Sequence, residues 1–393
     1  MPRFPDLSAP AGAMPSSIFA RLVEKLPSLG GEIFPFHLGD THLDPPPEAC
    51  LHRIAWDDRG PSLYRYAPPS GDPVLLAAIV AKLSRKNGMQ VSTSHVQVTA
   101  GATHAFACAT RALLDEGDEV LILSPFWPLA RGIVLSVGAR PVEVPFSTEL
   151  YSNPSVDPRA LIRPFITDRT AAIYLINPNN PDGKVLGQAE LAAVADLARH
   201  HGLWVLSDEV YEDFIFDGRS HLSIATLPGM DERTITVFSF SKSYAQAGLR
   251  VGYLVGPESA IAAIRKLANH SIYNVPRAMQ RSALAALVHG EKFLASARDE
   301  YVRARDLAVA KLGIPCRVPE AGTYLFVDLA GALRGSEQVI DLLERLAAEG
   351  ILLAPGEAFG AAHATWARLC YTAVPREKLG VGLEKMGKLL AKG

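Results

Sequence analysis

Residues 171–183 read Ala171-Ala172-Ile173-Tyr174-Leu175-Ile176-Asn177-Pro178-Asn179-Asn180-Pro181-Asp182-Gly183. Six residues without polar alternation suit a strand covered on both faces. They stop at a turn of Asn, Pro and Gly, which is rigid and polar. Read alone, that turn is an ordinary strand-to-helix loop. The same pattern recurs on either side, at Val96–Thr99, Glu119–Leu123, Arg140–Val144, Leu203–Ser207, Thr234–Phe238 and Gly252–Val255. Helical stretches intervene, such as Ala105–Asp115 and Gln188–His201. Seven short apolar runs alternating with helices predict an α/β fold with a mostly parallel sheet. In such sheets ligands sit beyond the carboxyl ends of the strands, so chemistry is sought just after each run.

Working outward, Asp72-Pro73 opens a predicted helix to about Lys86, with Asp as N-cap and Pro at the first helical position. Asn87-Gly88 stops it. Ile18, Phe19, Leu22 and Leu26 stand at helical spacing and predict an N-terminal helix over Ser17–Leu26. After about residue 285, helices precede runs near Tyr324–Val327, Ile351–Ala354 and Arg368–Tyr371, the pattern of a smaller α+β domain. The expected organisation is 1–45 as an N-terminal arm and part of the small domain, 46–285 as the large domain and 286–393 as the small one.

The chain has 393 residues, and 39 Lys+Arg against 41 Asp+Glu give a formal net charge of -2. So even a balance speaks against nucleic-acid or polybasic membrane partners. Cys50, Cys108, Cys316 and Cys370 are far apart and read as reduced thiols. No histidine stands at metal-ligand spacing, so no metal is expected. No run approaches the roughly 18 apolar residues of a membrane span, and no secretory signal is visible, so the cytoplasm is the expected compartment.

Three strand ends carry candidate chemistry. Asn177 to Gly183 is the first. Leu203–Ser207 runs into Asp208-Glu209-Val210-Tyr211, where solvated acids are the plain alternative. Thr234–Phe238 runs into Ser239-Phe240-Ser241-Lys242, with Arg250 eight residues on. A lone loop lysine is usually a solvated charge. One placed after a buried strand among small polar residues is where a reactive amine belongs.

Together these segments resemble the class I and II aminotransferases, fold type I pyridoxal-phosphate enzymes of the aspartate-aminotransferase type. Asn177 to Gly183 is similar to that family's Asn-Pro-x-Asn-Pro-Thr-Gly, with Asp182 in place of Thr. Asp208 to Tyr211 is similar to its Asp-Glu-x-Tyr. Ser239 to Lys242 with Arg250-Val251-Gly252-Tyr253 is similar to its Ser-x-Ser-Lys and Arg-x-Gly-Tyr. The likeness runs from about Leu38 to near the C-terminus.

The resemblance implies pyridoxal 5'-phosphate as cofactor, with Lys242 as Schiff-base lysine and proton carrier. It implies that Asp208 keeps the pyridine nitrogen protonated, and that Asn180 and Tyr211 bond the phenolic oxygen. Ser239, Ser241 and Arg250, with the Gly101-Ala102-Thr103 amides at a helix N-terminus, would bind the cofactor and its phosphate. Trp127 would stack on the ring, a buried structural Trp being the alternative. Tyr66 would reach a neighbouring subunit's phosphate, which implies a homodimer with shared active sites. Arg368 would clamp the substrate carboxylate, a surface Arg being the alternative, and Gly39 would meet the same carboxylate. Leu38-Gly39-Asp40 departs from the family's Leu-Gly-x-Gly, because the second Gly is replaced by His42 or lost.

The implied reaction is ping-pong transfer of an amino group between an L-amino acid and a 2-oxo acid. A lyase or cyclase on the same scaffold is the alternative. Dicarboxylate-specific relatives carry a second Arg just before the segment aligned with Ser271–Pro276. Here Leu267-Ala268-Asn269-His270 has none, and Arg277 is displaced from that place. Phe34, Phe36 and Tyr324 are candidates for an apolar pocket, or for core. His104, just after the phosphate segment, reads as a helix-surface residue. A cofactor-binding regulator would need a DNA-binding extension or basic patch, and neither is seen. A nucleotide-binding enzyme would need a Gly-rich fingerprint after a strand, and none is present.

Overall fold

The computed structural model describes residues 8–15, 31–54 and 63–391. The expected helix Ser17–Leu26 lies outside the described residues. Seven strands form the main sheet: β1 Val96–Thr99, β2 Glu119–Ser124, β3 Arg140–Pro145, β4 Thr170–Ile176, β5 Trp204–Asp208, β6 Thr234–Ser239 and β7 Gly252–Val255. Their spatial order is β1-β7-β6-β5-β4-β2-β3. All neighbours run parallel except β7, which is antiparallel to β1 and to β6. The protein therefore has the mostly parallel seven-stranded α/β sheet that the apolar runs predict.

The inner strands are apolar on both sides because both faces are covered. One layer packs Phe106, Val134, Ile261 and Ile264 from helices against Val120, Ile122 and Leu206. The other packs Leu191, Val194 and Leu197 against Leu121, Ile173 and Val205. Register fixes what emerges at the strand ends. Ile176 lies beside Asp208, Ser239 beside Gly252, and Gly252 beside Thr99. Three separate sequence segments thus open onto one edge.

A second sheet has β8 Tyr324–Asp328, β9 Ala354–Pro355 and β10 Trp366–Cys370, in the order β8-β10-β9, all antiparallel. The expected run Ile351–Ala354 pairs with β10 only from Ala354. Ile351 instead bridges Phe34. Phe34 and Phe36 are fully buried in this second core with Leu325, Leu342 and Leu383. They are core residues and line neither of the two cavities at the site described below.

Asp72 caps the helix Pro73–Lys82 by accepting from the Val74 amide at 3.0 Å. A wider turn over Leu83–Asn87 follows and ends at Gly88, whose φ of 70° favours glycine. The helix expected over Ala105–Asp115 runs over Gly101–Leu113. Its first turn therefore contains the whole Gly101–Thr103 segment rather than following it as a loop.

Candidate active site

The site is assembled from the ends of β4, β5 and β6. Ser239 closes β6, and its Oγ accepts from the Ser241 amide at 3.1 Å. This cap turns the chain into the four-residue helix Phe240–Ser243, which carries Lys242. Lys242 is half-buried, and its Nζ donates to the Gly39 carbonyl. A Cβ on Gly39 would collide with the Tyr324 hydroxyl, so glycine is required for that close approach.

Asp208 closes β5 and is buried. Its Oδ2 accepts from the Tyr174 hydroxyl at 3.2 Å and its Oδ1 from the Val210 amide at 3.3 Å. Burial pushes its pKa up to about 6 against these hydrogen bonds, and the nearby Lys242 only partly offsets the rise. Tyr174 was not anticipated as part of the site. Its signal was faint, since a Tyr in an apolar strand reads as core. Tyr211 is buried against Tyr324, with their hydroxyls 2.6 Å apart. Burial and Tyr324 raise the Tyr211 pKa far above the phenol range, so the group stays neutral.

An anion-receptive corner lies beside them. Gly101 has φ 78°, and a Cβ there would stand 2.6 Å from Arg250 Nη2. The Arg250 guanidinium thus lies directly over the start of the helix Gly101–Leu113. Arg250 itself is left-handed at φ 54°, a strained backbone for a side-chain-bearing residue. His104 braces the corner, because its Nδ1 accepts from the Ala100 amide at 3.1 Å and its Nε2 meets Ser271 Oγ at 2.7 Å. It is half-buried, and burial lowers its pKa, so it is not the surface residue expected. A cavity of about 190 Å³ joins this corner to Lys242, and Ala102, Thr103, Trp127, Asn180, Asp208, Tyr211, Ser239, Ser241 and Arg250 line it.

A second, larger cavity of about 570 Å³ opens from it and shares Thr103, Trp127, Asn180, Tyr211 and Lys242. Arg368 on β10 reaches into it. This guanidinium is buried, donating to Asn180 Oδ1 and to the His37 carbonyl, each at 3.0 Å. It lies over the rings of Tyr324 at 4.1 Å and Phe359 at 4.9 Å. Among the described residues no carboxylate pairs with it. A buried cation held only by neutral groups is a receptor for an anion.

The sequence matches the family "Aminotransferase class I and II" over residues 36–386. The chain belongs to that family. This aminotransferase is 33% identical over 354 residues to an aspartate aminotransferase of Musicola paradisiaca, covering 89% of this chain and 87% of the relative. It is 35% identical over 345 residues to an arginine–pyruvate transaminase of Pseudomonas aeruginosa, covering 86% of each. Its fold superposes on the aromatic aminotransferase from Pyrococcus horikoshii with a TM-score of 0.85 and 31% identity, over 94% of this chain and 99% of that one.

Three residues of the aminotransferase that the sequence singled out line neither cavity. Asp182 does not line either cavity. It is buried in its turn, where it accepts from Ser147 Oγ, from Asn179 Nδ2 at 2.8 Å and from the Lys184 amide at 3.1 Å. Tyr66 is 77% exposed, its ring 4.6 Å from that of Tyr273 and tilted 54° to it, and lines neither cavity of its own chain. Arg277 is locked in place by Asp72 at 3.1 Å and the Tyr66 carbonyl at 2.8 Å. The loop after Gly39 is pinned differently from a glycine turn: the His42 amide donates to the Thr372 carbonyl at 2.9 Å, and Thr372 Oγ1 to the Asp40 carbonyl at 2.8 Å.

Proposed function

We propose that this aminotransferase binds pyridoxal 5'-phosphate in the smaller cavity and moves an amino group between an L-amino acid and a 2-oxo acid by a ping-pong route. The observation that carries the proposal is one cavity with an amine, Lys242, a buried unpaired carboxylate, Asp208, and an anion corner under Arg250. The donor set fits the group. A cationic ring nitrogen would relieve the buried Asp208, whose pKa near 6 marks a charge that lacks compensation. A phosphate suits the guanidinium of Arg250 and the amides of Gly101–Thr103. When bound, the cofactor supplies a conjugated ring that withdraws electrons from the reacting carbon.

The chain's own residues then do the following. Lys242 holds the cofactor and, once displaced, its Nζ takes and returns the substrate proton. Asp208 keeps the ring nitrogen protonated. Tyr211 and Asn180 hydrogen-bond the ring oxygen, and Ser239 and Ser241 add donors at the phosphate end. Trp127 covers one face of the cavity. Arg368 clamps the substrate carboxylate beside Gly39. Residues 46–285 serve as the cofactor-binding domain, 286–393 as the small domain, and 1–45 as the arm that joins it. Exposed Tyr66 supports a homodimer in which each subunit completes the other's phosphate site. Four free cysteines support a cytoplasmic setting.

The test is to load the protein with pyridoxal phosphate, fix the adduct with borohydride and map the modified peptide. Modification at Lys242, with 2-oxo acid formed from an amino donor in step with pyridoxamine phosphate, is the expected result. Modification elsewhere would sink the assignment of Lys242. Ammonia release without pyridoxamine phosphate would move the reading to a lyase.

A further inference from the structure

We infer that the larger cavity selects an uncharged, apolar side chain, so that the amino donor is an aromatic or branched aliphatic L-amino acid. The inference rests on the reading above, in which Arg368 takes the substrate carboxylate and Lys242 faces its α-carbon. Those two anchors fix which part of the cavity remains for the side chain. What remains is walled by Leu38, Trp127, Leu129, Ile133, Tyr324 and Met14. Among the described residues, Lys242 and Arg368 are the only charged groups lining it. His37 also lines it, but burial and the adjacent Arg368 pull its pKa down to about 4, so it is neutral at pH 7.

Three further observations point the same way. Leu38, Leu129 and Met14 are 49%, 52% and 45% exposed, yet all three converge on this cavity. Exposed large apolar side chains that rim one concavity mark where an apolar ligand is received. Gly132 sits beneath Met14 and Pro15, and a Cβ on it would touch Pro15 Cδ at 3.6 Å and Met14 Cε at 3.8 Å. Those are ordinary contact distances, so Met14 and Pro15 lie packed over the helix Leu129–Leu135 at the edge of the cavity. Finally, Arg277 lines neither cavity and is held by Asp72 and the Tyr66 carbonyl. A carboxylate or ammonium in this space would lose water and gain no partner. A volume of about 570 Å³ is within the range of small-molecule sites and does not limit the ligand to a methyl group.

The experiment uses the cofactor-loaded, full-length enzyme. Single-turnover kcat/KM is measured with L-phenylalanine, L-leucine, L-aspartate and L-lysine. Dissociation constants of the unreactive acids 3-phenylpropionate and succinate are measured by calorimetry. Phenylalanine and leucine are expected to exceed aspartate and lysine by more than about 100-fold, since a charge left unpaired in the site is penalised more than a missing methylene. The aromatic monocarboxylate is expected to bind at least about tenfold tighter than succinate. Leu129→Arg places a cation on an exposed rim position outside the catalytic set, and it is expected to raise aspartate and lower phenylalanine turnover. If aspartate and succinate are preferred by the unmodified enzyme, the substrate inference is overturned while the aminotransferase reading stands. Exposed Arg65, next to Tyr66, would then be the cation to test across a subunit contact. If no amino acid alters the spectrum of the bound cofactor, both readings fall.

Discussion

A carboxylate in a dry site without a cation bonded to it opposes folding, and Asp208 is such a group. Among the described residues only Tyr174 and the Val210 amide bond it. Its pKa rises from the ordinary 3.8 to about 6 through burial. The sign follows from linkage: below pH 3.8 the acid is neutral in both folded and unfolded chains and costs nothing. The destabilisation grows as pH rises through that window and is complete above about 6. Asp208→Asn is therefore expected to stabilise the cofactor-free protein at pH 7.5, by about 1–3 kcal/mol, with the gain vanishing near pH 4. The same variant should lose cofactor and turnover, because removing one partner of a buried pair costs about 3–5 kcal/mol. Calorimetric unfolding without cofactor, set beside cofactor affinity, checks both halves. An equally unstable apo variant would refute the argument. Arg368→Lys tests the opposite charge. Lysine keeps the cation but loses the fork that serves Asn180, the His37 carbonyl and a carboxylate together. A loss of about 1.5–3 kcal/mol, roughly 10- to 150-fold in kcat/KM, is expected, carried mainly by KM.

Asp182 shows how an element can be legible while the role of one of its residues is not. The turn Asn177–Gly183 was visible in the sequence because Asn, Pro and Gly punctuate it and a buried run precedes it. Asp182 stands where the resembled motif has Thr. In the folded chain the carboxylate faces away from both cavities and ties Ser147, Asn179 and the Lys184 amide together. Burial raises its pKa despite those bonds. Asp182→Ala should therefore cost stability, about 1–3 kcal/mol for donors left unpaired, while kcat/KM stays within about twofold. Urea unfolding and steady-state kinetics separate the two effects, and a large kinetic loss with no change in stability would contradict this view. Gly183 fixes the same turn against its neighbour. It has φ 71°, and a Cβ would lie 2.5 Å from Pro319 Cβ and 2.6 Å from the Ala321 carbonyl. Gly183→Ala should thus destabilise by about 1–3 kcal/mol. Lys242 and Asp208 could be singled out from local pattern because each stands at or just past a strand end, and the role of Arg250 came from the family resemblance. Tyr174, His104 and Leu129 could not. Their contribution depends on which strand, loop or helix lies next to them, and adjacency across the sheet is not written in local periodicity.

At the scale of the whole molecule, the sequence spoke clearly about the main sheet and faintly about the N-terminal side of the fold. Phe34 and Phe36 look alike to Leu38 in a linear reading, yet the first two pack inward on the second sheet and Leu38 rims the cavity. Only closure of the chain separates them. The same holds for Tyr66, which is exposed beside Tyr273 and lines neither cavity of its own chain. If a second copy receives it, two separately inactive variants should rescue each other. Lys242→Ala removes the amine of its own site, and Tyr66→Ala removes the phosphate ligand of the neighbouring one. In a hybrid dimer one site then lacks both groups, and the other has Lys242 from one chain and Tyr66 from the other. Random reassortment makes about half the dimers hybrid, each with one intact site of two, so about a quarter of wild-type activity should return. The mixture is unfolded or partly dissociated together, reassembled with cofactor and assayed against each variant reassembled alone. Were Tyr66 to act within its own chain, every hybrid site would lack one of the two groups, and mixing would yield no more than the average of the parents.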